Sequence, residues 1–285
     1  MSEPSATPIS PETLRHRLAR LKAVPTLPKV LETVVSALED QQVDFERVAE
    51  LIEVDQALTS QILRLANSAF YGNQGTVGHV GQAMVVLGTV VTRSVILSSA
   101  VLDIREVELQ GFWEHSLGCA VAAGAIARVM RRDNPEQVKA AGLLHDIGKV
   151  VLYKELPDVF VEVVRRARES GRRFRDVERE LLGVDHCDIA SSLLERWRFP
   201  PSRAEPIAFH HTPERARLAR WEVDVVHMAN TLVRALGYGS GGDPCVPAID
   251  SGPWKRLGLT PALLDRTLAL FETNLDQALN YALFQ

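Results

Sequence analysis

The chain has 285 residues, 46% of them hydrophobic, and a formal net charge of −4. That length fills one large or two small cores, and the charge excludes a globally basic nucleic-acid binder while leaving a local basic patch open. Cys119, Cys187 and Cys245 are odd in number, widely spaced and without a CxxC pair, which argues against a disulfide framework or thiolate zinc site and fits a reducing cytoplasm.

The start, MSEPSATPISPETL, lacks a basic n-region and an apolar h-region. No signal peptide is expected, and residues 1–17 read as a frayed leader. In LPKVLETVVSALED, Leu27, Val30, Leu31, Val34 and Leu38 share one helical face. DFERVAELIEVD and DQALTSQILRLANSAFYG each open with an aspartate suited to N-capping, and the second runs into Gly72, a stop signal. Within LRLANSAFYG, Asn67 and Ser68 are expected to satisfy backbone groups, Phe70 and Tyr71 to pack under the next helix and Gly72 to reverse the chain; a partner-binding surface is the less favoured reading. The apolar stretch 81–102 carries Arg93 at its middle, where a bilayer would charge roughly 2.5 kcal/mol or more. It reads as two buried helices broken near Gly88, with no membrane span.

Further helices are expected at 110–131, 136–155, 158–169, 174–182, 186–197, 201–211, 219–236 and 260–283, with no alternating strand, so the class is all-α. VRRARESGRRFRDVERE interleaves its arginines with acids and reads as a solvated, ion-paired face, with no nucleic-acid role. GYGSGGDPCVPAIDSGPW, residues 237–254, reads as a long surface loop.

The histidines are the informative residues. His115 lies in FWEHSLGC, His145 and Asp146 in LLHDIGK, His186 at the start of HCDIASSLLERW, and His210 and His211 at the end of PIAFHH. Imidazole and carboxylate groups from several helices can hold zinc, iron, manganese or nickel. Lys149, one turn after His145 and Asp146, is placed to meet a phosphate oxygen. Any single histidine in an apolar helix is more often a satisfied core or surface residue; the joint pattern carries the weight.

In this order, His115, HDIGK, His186 and HH, the chain resembles the HD superfamily of metal-dependent phosphohydrolases. VPTLPKV (24–30), IEVDQALTSQILRLANSAFYG (52–72), GLLHDIGKVVL and ERWRFPPSRAEPIAFHH make it more similar to the HDOD family, over about residues 18–236. The resemblance implies an N-terminal helical part (18–105) packed on an HD-like helical bundle (106–236), followed by a loop and C-terminal helices (237–285). It also implies a bacterial, cytoplasmic signalling role with a protein partner. By motif position His115, His145, Asp146, His186, His210 and His211 match the metal ligands of the related HD-GYP phosphodiesterases. That implies one or two divalent transition metal ions, with a nucleotide or cyclic nucleotide as candidate ligand, and Asp146 and Lys149 as the catalytic pair of an enzyme.

Two departures weigh against cyclic di-GMP hydrolysis. The superfamily's last aspartate corresponds to Asn230, a weaker ligand, and Asp224, six residues earlier, faces about 240° away around the helix. HHTPERAR also replaces the HHE-to-GYP signature. The expected function is an interaction module with a divalent metal site, and the alternative is a metal-dependent phosphohydrolase.

Overall fold

The computed structural model describes residues 77–101, 111–132, 135–197 and 199–282, with 44–54 and positions 34, 37, 58, 59, 62, 63, 66 and 67 before them. The 1–17 leader, most of the 27–38 helix, the Phe70 to Gly72 turn and residues 102–110 lie outside this set. Among the described residues every regular element is helical.

Helix α1 (Phe45–Glu53) starts where the Asp44 carboxylate accepts from the Arg47 amide at 3.2 Å. It buries Val48, Ala49 and Ile52 against α2 (Val80–Val101). The α2 backbone leaves helical geometry at Gly88 (φ 72, ψ 163), dividing the apolar stretch into two helices as expected. No helix among the described residues is long and apolar enough to cross a membrane. Asn67 donates to Val77 O at 2.9 Å and accepts from Val77 N at 3.0 Å. Its amide thus satisfies backbone groups, although ten residues downstream and not at its own helix end.

Helix α3 (Phe112–Val129) is central. Its run of alanines and glycines is buried, and such small side chains let neighbouring axes come close. Packed on it are α4 (Pro135–Leu144), α10 (Arg220–Ala235) and α12 (Pro261–Ala282), which share a core of Ile126, Val225, Met228 and Phe271. A second core, with Leu152, Phe160, Phe174 and Leu193, joins α5 (Ile147–Glu155), α6 (Pro157–Ser170), α7 (Phe174–Leu182) and α8 (His186–Arg196). Short α9 (Pro201–Ala208) lies against α8 and α10, and α11 (Ser251–Leu257) against α10. Asp185 caps α8, accepting from Cys187 N at 3.0 Å and Asp188 N at 3.1 Å, while Asp188 Oδ2 accepts from Asp185 N at 3.1 Å. The three bonds form a capping box.

Three expectations need correction. Residues 136–155 are not one helix, because α4 ends at Leu144 and α5 begins at Ile147. His145 and Asp146 occupy the break, which turns both side chains to the same interior point. The 201–211 helix ends at Ala208, leaving His210 and His211 in a turn. Residues 237–254 are not simply a surface loop: Gly241 and Gly242 are buried, and from Ser251 the chain is helical. The arginine-rich face is ion-paired as expected, with Arg165 and Arg166 on Glu162 at 2.9 and 2.6 Å and Arg173 on Asp176 at 2.8 Å. Such exposed pairs add little stability.

Candidate metal centre

Asp146 is the hub. Its Oδ2 faces His145 Nε2 at 3.4 Å and His115 Nε2 at 3.8 Å; its Oδ1 faces His186 Nε2 at 3.3 Å and His210 Nε2 at 3.9 Å. One carboxylate therefore separates two imidazole pairs. All five side chains are at most 1% exposed. The structure also closes α5 on α8 beside this point: a Cβ on Gly148 would lie 1.9 Å from His186 O, so the glycine of HDIGK is demanded by close approach.

The far nitrogens of three histidines are held. His145 Nδ1 and His210 Nδ1 each lie 2.8 Å from a backbone carbonyl, of Gly142 and Ile207 respectively. His186 Nδ1 is 2.5 Å from Glu178 Oε2. A donor N–H on Nδ1 leaves the lone pair on Nε2 toward Asp146, the arrangement of a metal-binding imidazole with its supporting partner. His186 Nε2, His210 Nε2 and Asp146 Oδ1 are buried with no hydrogen-bond partner. Such convergent unpartnered atoms are what a cation would satisfy, so these residues fit a divalent ion.

Electrostatics agree. Burial, and next the His145 ring, hold His115 and His210 well below the usual imidazole range. Burial and His210 do the same for His211. Neutral imidazole is the ligand form. Burial opposes charge on Asp146, but His145 and Lys149 outweigh it and keep the carboxyl well below the usual carboxylate range. His186 is the exception: burial is overcome by Glu178, which raises it and favours the protonated ring, so this imidazole has to give up a proton to bind a cation.

Lys149 is 2% exposed, and its ammonium donates to Asp146 Oδ2 at 2.6 Å and to Gly241 O at 2.8 Å. The Gly241 carbonyl belongs to a strap, residues 237–245, that crosses the centre. The strap is anchored where Ser240 N donates to Gly111 O at 2.8 Å, Phe174 N donates to Asp243 Oδ2 at 2.8 Å, and Arg234 pairs with Asp243. His211 is partly exposed, its ring centre 5.1 Å from that of His186. Asn230 is 4% exposed on α10, with Oδ1 unpartnered. Asp224 is turned away, held by Arg256 through two 2.7 Å bonds. His227 bonds the His210 carbonyl through Nδ1 at 2.8 Å.

Reading the sequence alone misses Glu178, the two cysteines and the strap. Glu178 sits among charges, yet with Phe174, Val177 and Leu182 it lies on the buried face of α7; that spacing was the available signal. Cys119 follows His115 by one helical turn, its Sγ 3.7 Å from His115 Nε2. Cys187 Sγ is 3.7 Å from His210 Nδ1, behind that ring.

Histidines from separate segments of a helical fold converge here on the aspartate of an HD pair, a candidate metal centre of the HD type. The HDOD domain family model matches residues 24–213, and the chain belongs to that family. An HDOD domain protein of unknown function from Geobacter sulfurreducens is 27% identical, with a TM-score of 0.68 and 93% of each chain covered. A candidate phosphohydrolase from Shewanella amazonensis shares the fold at 22% identity, with a TM-score of 0.69 over 92% of this chain and 96% of that one. An uncharacterized protein of Treponema pallidum is 25% identical over 226 residues, 76% of this chain and 43% of that protein's length. The chain thus spans less than half of that relative.

Proposed function

We propose that this HDOD protein is a bacterial regulatory protein of signal transduction that acts mainly as an interaction module, its shape set by one or two divalent transition metal ions. His115, His145 and Asp146 would hold one ion, and Asp146, His186, His210 and His211 the other. The observation that carries the reading is the enclosure of the centre. Its inner ligand atoms are buried, and Lys149, the group a phosphate would need, is engaged by Asp146 and by the Gly241 carbonyl of the strap. A largely buried set of ligands drawn from α3, the break between α4 and α5, α8 and the turn after α9 would link metal affinity to folding. Iron, manganese, zinc or nickel suits this donor set, and the partner would be another signalling protein.

One observation favours a second reading, a metal-dependent phosphohydrolase of nucleotides or cyclic nucleotides. The two oxygens of Asp146 address separate histidine pairs, as a carboxylate between two metals does. Divalent ions there would supply Lewis acidity to a phosphoester and its attacking water. The chain's own contribution would be Lys149 released from Gly241 O to neutralise phosphate charge.

The test is elemental analysis of the purified, tag-free protein beside Asp146→Ala, followed by a phosphoester panel. One or two ions per chain, lost in the variant, with no turnover, is the expected result. Turnover that disappears in Asp146→Ala would favour the hydrolase; no metal after reconstitution under reducing conditions would overturn both readings.

A further inference from the structure

We infer that Cys119 is a metal ligand of this centre, its thiolate completing the site formed by His115, His145 and Asp146. The inference rests on the metal reading above and deepens it by naming a sulfur donor. The lack of a CxxC pair excludes a paired-cysteine zinc site, but not one thiolate among imidazoles.

Geometry carries it. His115 Nε2 looks toward three donor atoms at once: His145 Nε2 at 3.3 Å, Cys119 Sγ at 3.7 Å and Asp146 Oδ2 at 3.8 Å. His145 Nε2 is 3.4 Å from the same Asp146 oxygen, and the donor atoms of His115, Cys119 and His145 all lie within 4.8 Å of one another. With metal–nitrogen bonds of about 2.0 Å and metal–sulfur bonds of about 2.3 Å, a tetrahedron has edges of about 3.3 Å between nitrogens and about 3.5 Å between nitrogen and sulfur. The separations from His115 Nε2, and that between His145 Nε2 and Asp146 Oδ2, have that size, so an ion seated among His115, His145 and Asp146 would have Cys119 Sγ beside it. The helix explains the placement: four residues on, Cys119 stands on the face of α3 that carries His115.

Charge supplies the second argument. The Asp146 carboxylate is already matched by the Lys149 ammonium at 2.6 Å, so a dication among neutral imidazoles would be buried without compensation. The other half of the centre has Glu178 behind His186, whereas His145 is backed only by a carbonyl. Asn230 brings no charge. Cys119, fully buried and free of any disulfide, is the ionisable side chain available on this side. On metal entry its S–H bond breaks, the proton leaves to solvent and the sulfur lone pair forms the bond to the ion. Cys187 differs, since its Sγ approaches His210 from Nδ1 while Nε2 is the atom aimed at Asp146.

The experiment is titration of the full, metal-free chain with Co(II), followed by absorption spectroscopy. A Cys187→Ser/Cys245→Ser chain, which keeps Cys119 alone, is expected to show the sulfur-to-cobalt charge-transfer band in the near ultraviolet. Cys119→Ser is expected to lose the band and to bind Co(II) about tenfold more weakly or worse. The chain keeping Cys119 alone decides the matter even if Cys119→Ser does not fold. Visible ligand-field bands without a sulfur band in that chain would overturn the thiolate while leaving the metal centre standing. A band that survives in Cys119→Ser but not in Cys187→Ser would assign the sulfur to Cys187 and overturn the inference. Failure to bind Co(II) at all would overturn the metal reading and the thiolate together.

Discussion

Lys149 and Gly241, 92 positions apart, meet through a 2.8 Å hydrogen bond from ammonium to carbonyl. The same ammonium neutralises Asp146 at 2.6 Å, so a metal bound at Asp146 would meet an electrostatic need that the lysine already serves. Lys149→Met is expected to destabilise the chelated protein by roughly 3 kcal/mol, because it leaves a buried carboxylate unpaired. The metal-loaded variant should lose distinctly less. Urea unfolding of both forms checks this, and equal losses would show that the ion does not share the Asp146 charge.

Metal removal should itself be visible. An ion present at 100 times its dissociation constant stabilises by about 2.7 kcal/mol, which for a chain of this size corresponds to a fall of about 5–10 °C in Tm on chelation. Differential scanning calorimetry with and without chelator reads it; an unchanged Tm would argue against an ion that supports the fold.

Gly239 adopts φ +67, and a Cβ there would lie 2.2 Å from His115 N. Gly239→Ala therefore combines backbone strain with a clash at the first turn of α3, and is expected to cost about 2 kcal/mol or more. Chemical denaturation measures the loss. A variant as stable as the parent would mean that the strap can move away from the centre freely.

Asp185 links α7 to α8. Burial raises its pKa, but His186 and the Arg175 hydrogen bond outweigh burial and depress it; Arg175 and Arg179 donate to its Oδ2 at 2.5 and 2.7 Å. A depressed carboxyl contributes stability that is present above its unfolded value, about 3.9, and is lost as pH falls below that value toward the folded one. Asp185→Ala is expected to cost roughly 3 kcal/mol at neutral pH. The gap between parent and variant should narrow below about pH 4, as followed by urea midpoints; a gap independent of pH would show that the carboxylate charge is not the source.

Asn67 closes two hydrogen bonds on Val77. At about 1 kcal/mol each, Asn67→Ala should lower stability by about 2 kcal/mol, seen in thermal and urea unfolding. Undiminished stability with lost partner binding would instead favour the surface reading of LRLANSAFYG.

Helical periodicity, aspartate caps and glycine stops are local signals, and they sufficed for most helices from residue 112 onward and for the break at Gly88, but not for the interruption at His145 and Asp146, the end of α9 or the helix α11. The candidate ligands were legible because HDIGK, the isolated His186 and the HH pair are short, ordered signatures. Their convergence was not. Whether five side chains from four separate segments meet depends on the break at His145 and Asp146, the glycine-permitted approach of α5 to α8, and the fold of the strap over Lys149. Glu178 shows the same limit: within its own helix it is an acid among arginines, and only the tertiary fold makes it a support for His186. Cys119 stands one turn from His115 on α3, a local relation, but its approach to His145 depends on how α4 packs on α3. The sequence by itself determined the all-helical class and the types of the candidate ligands. Tertiary packing decided which atoms face one another, because those distances are set by contacts between segments far apart in the chain.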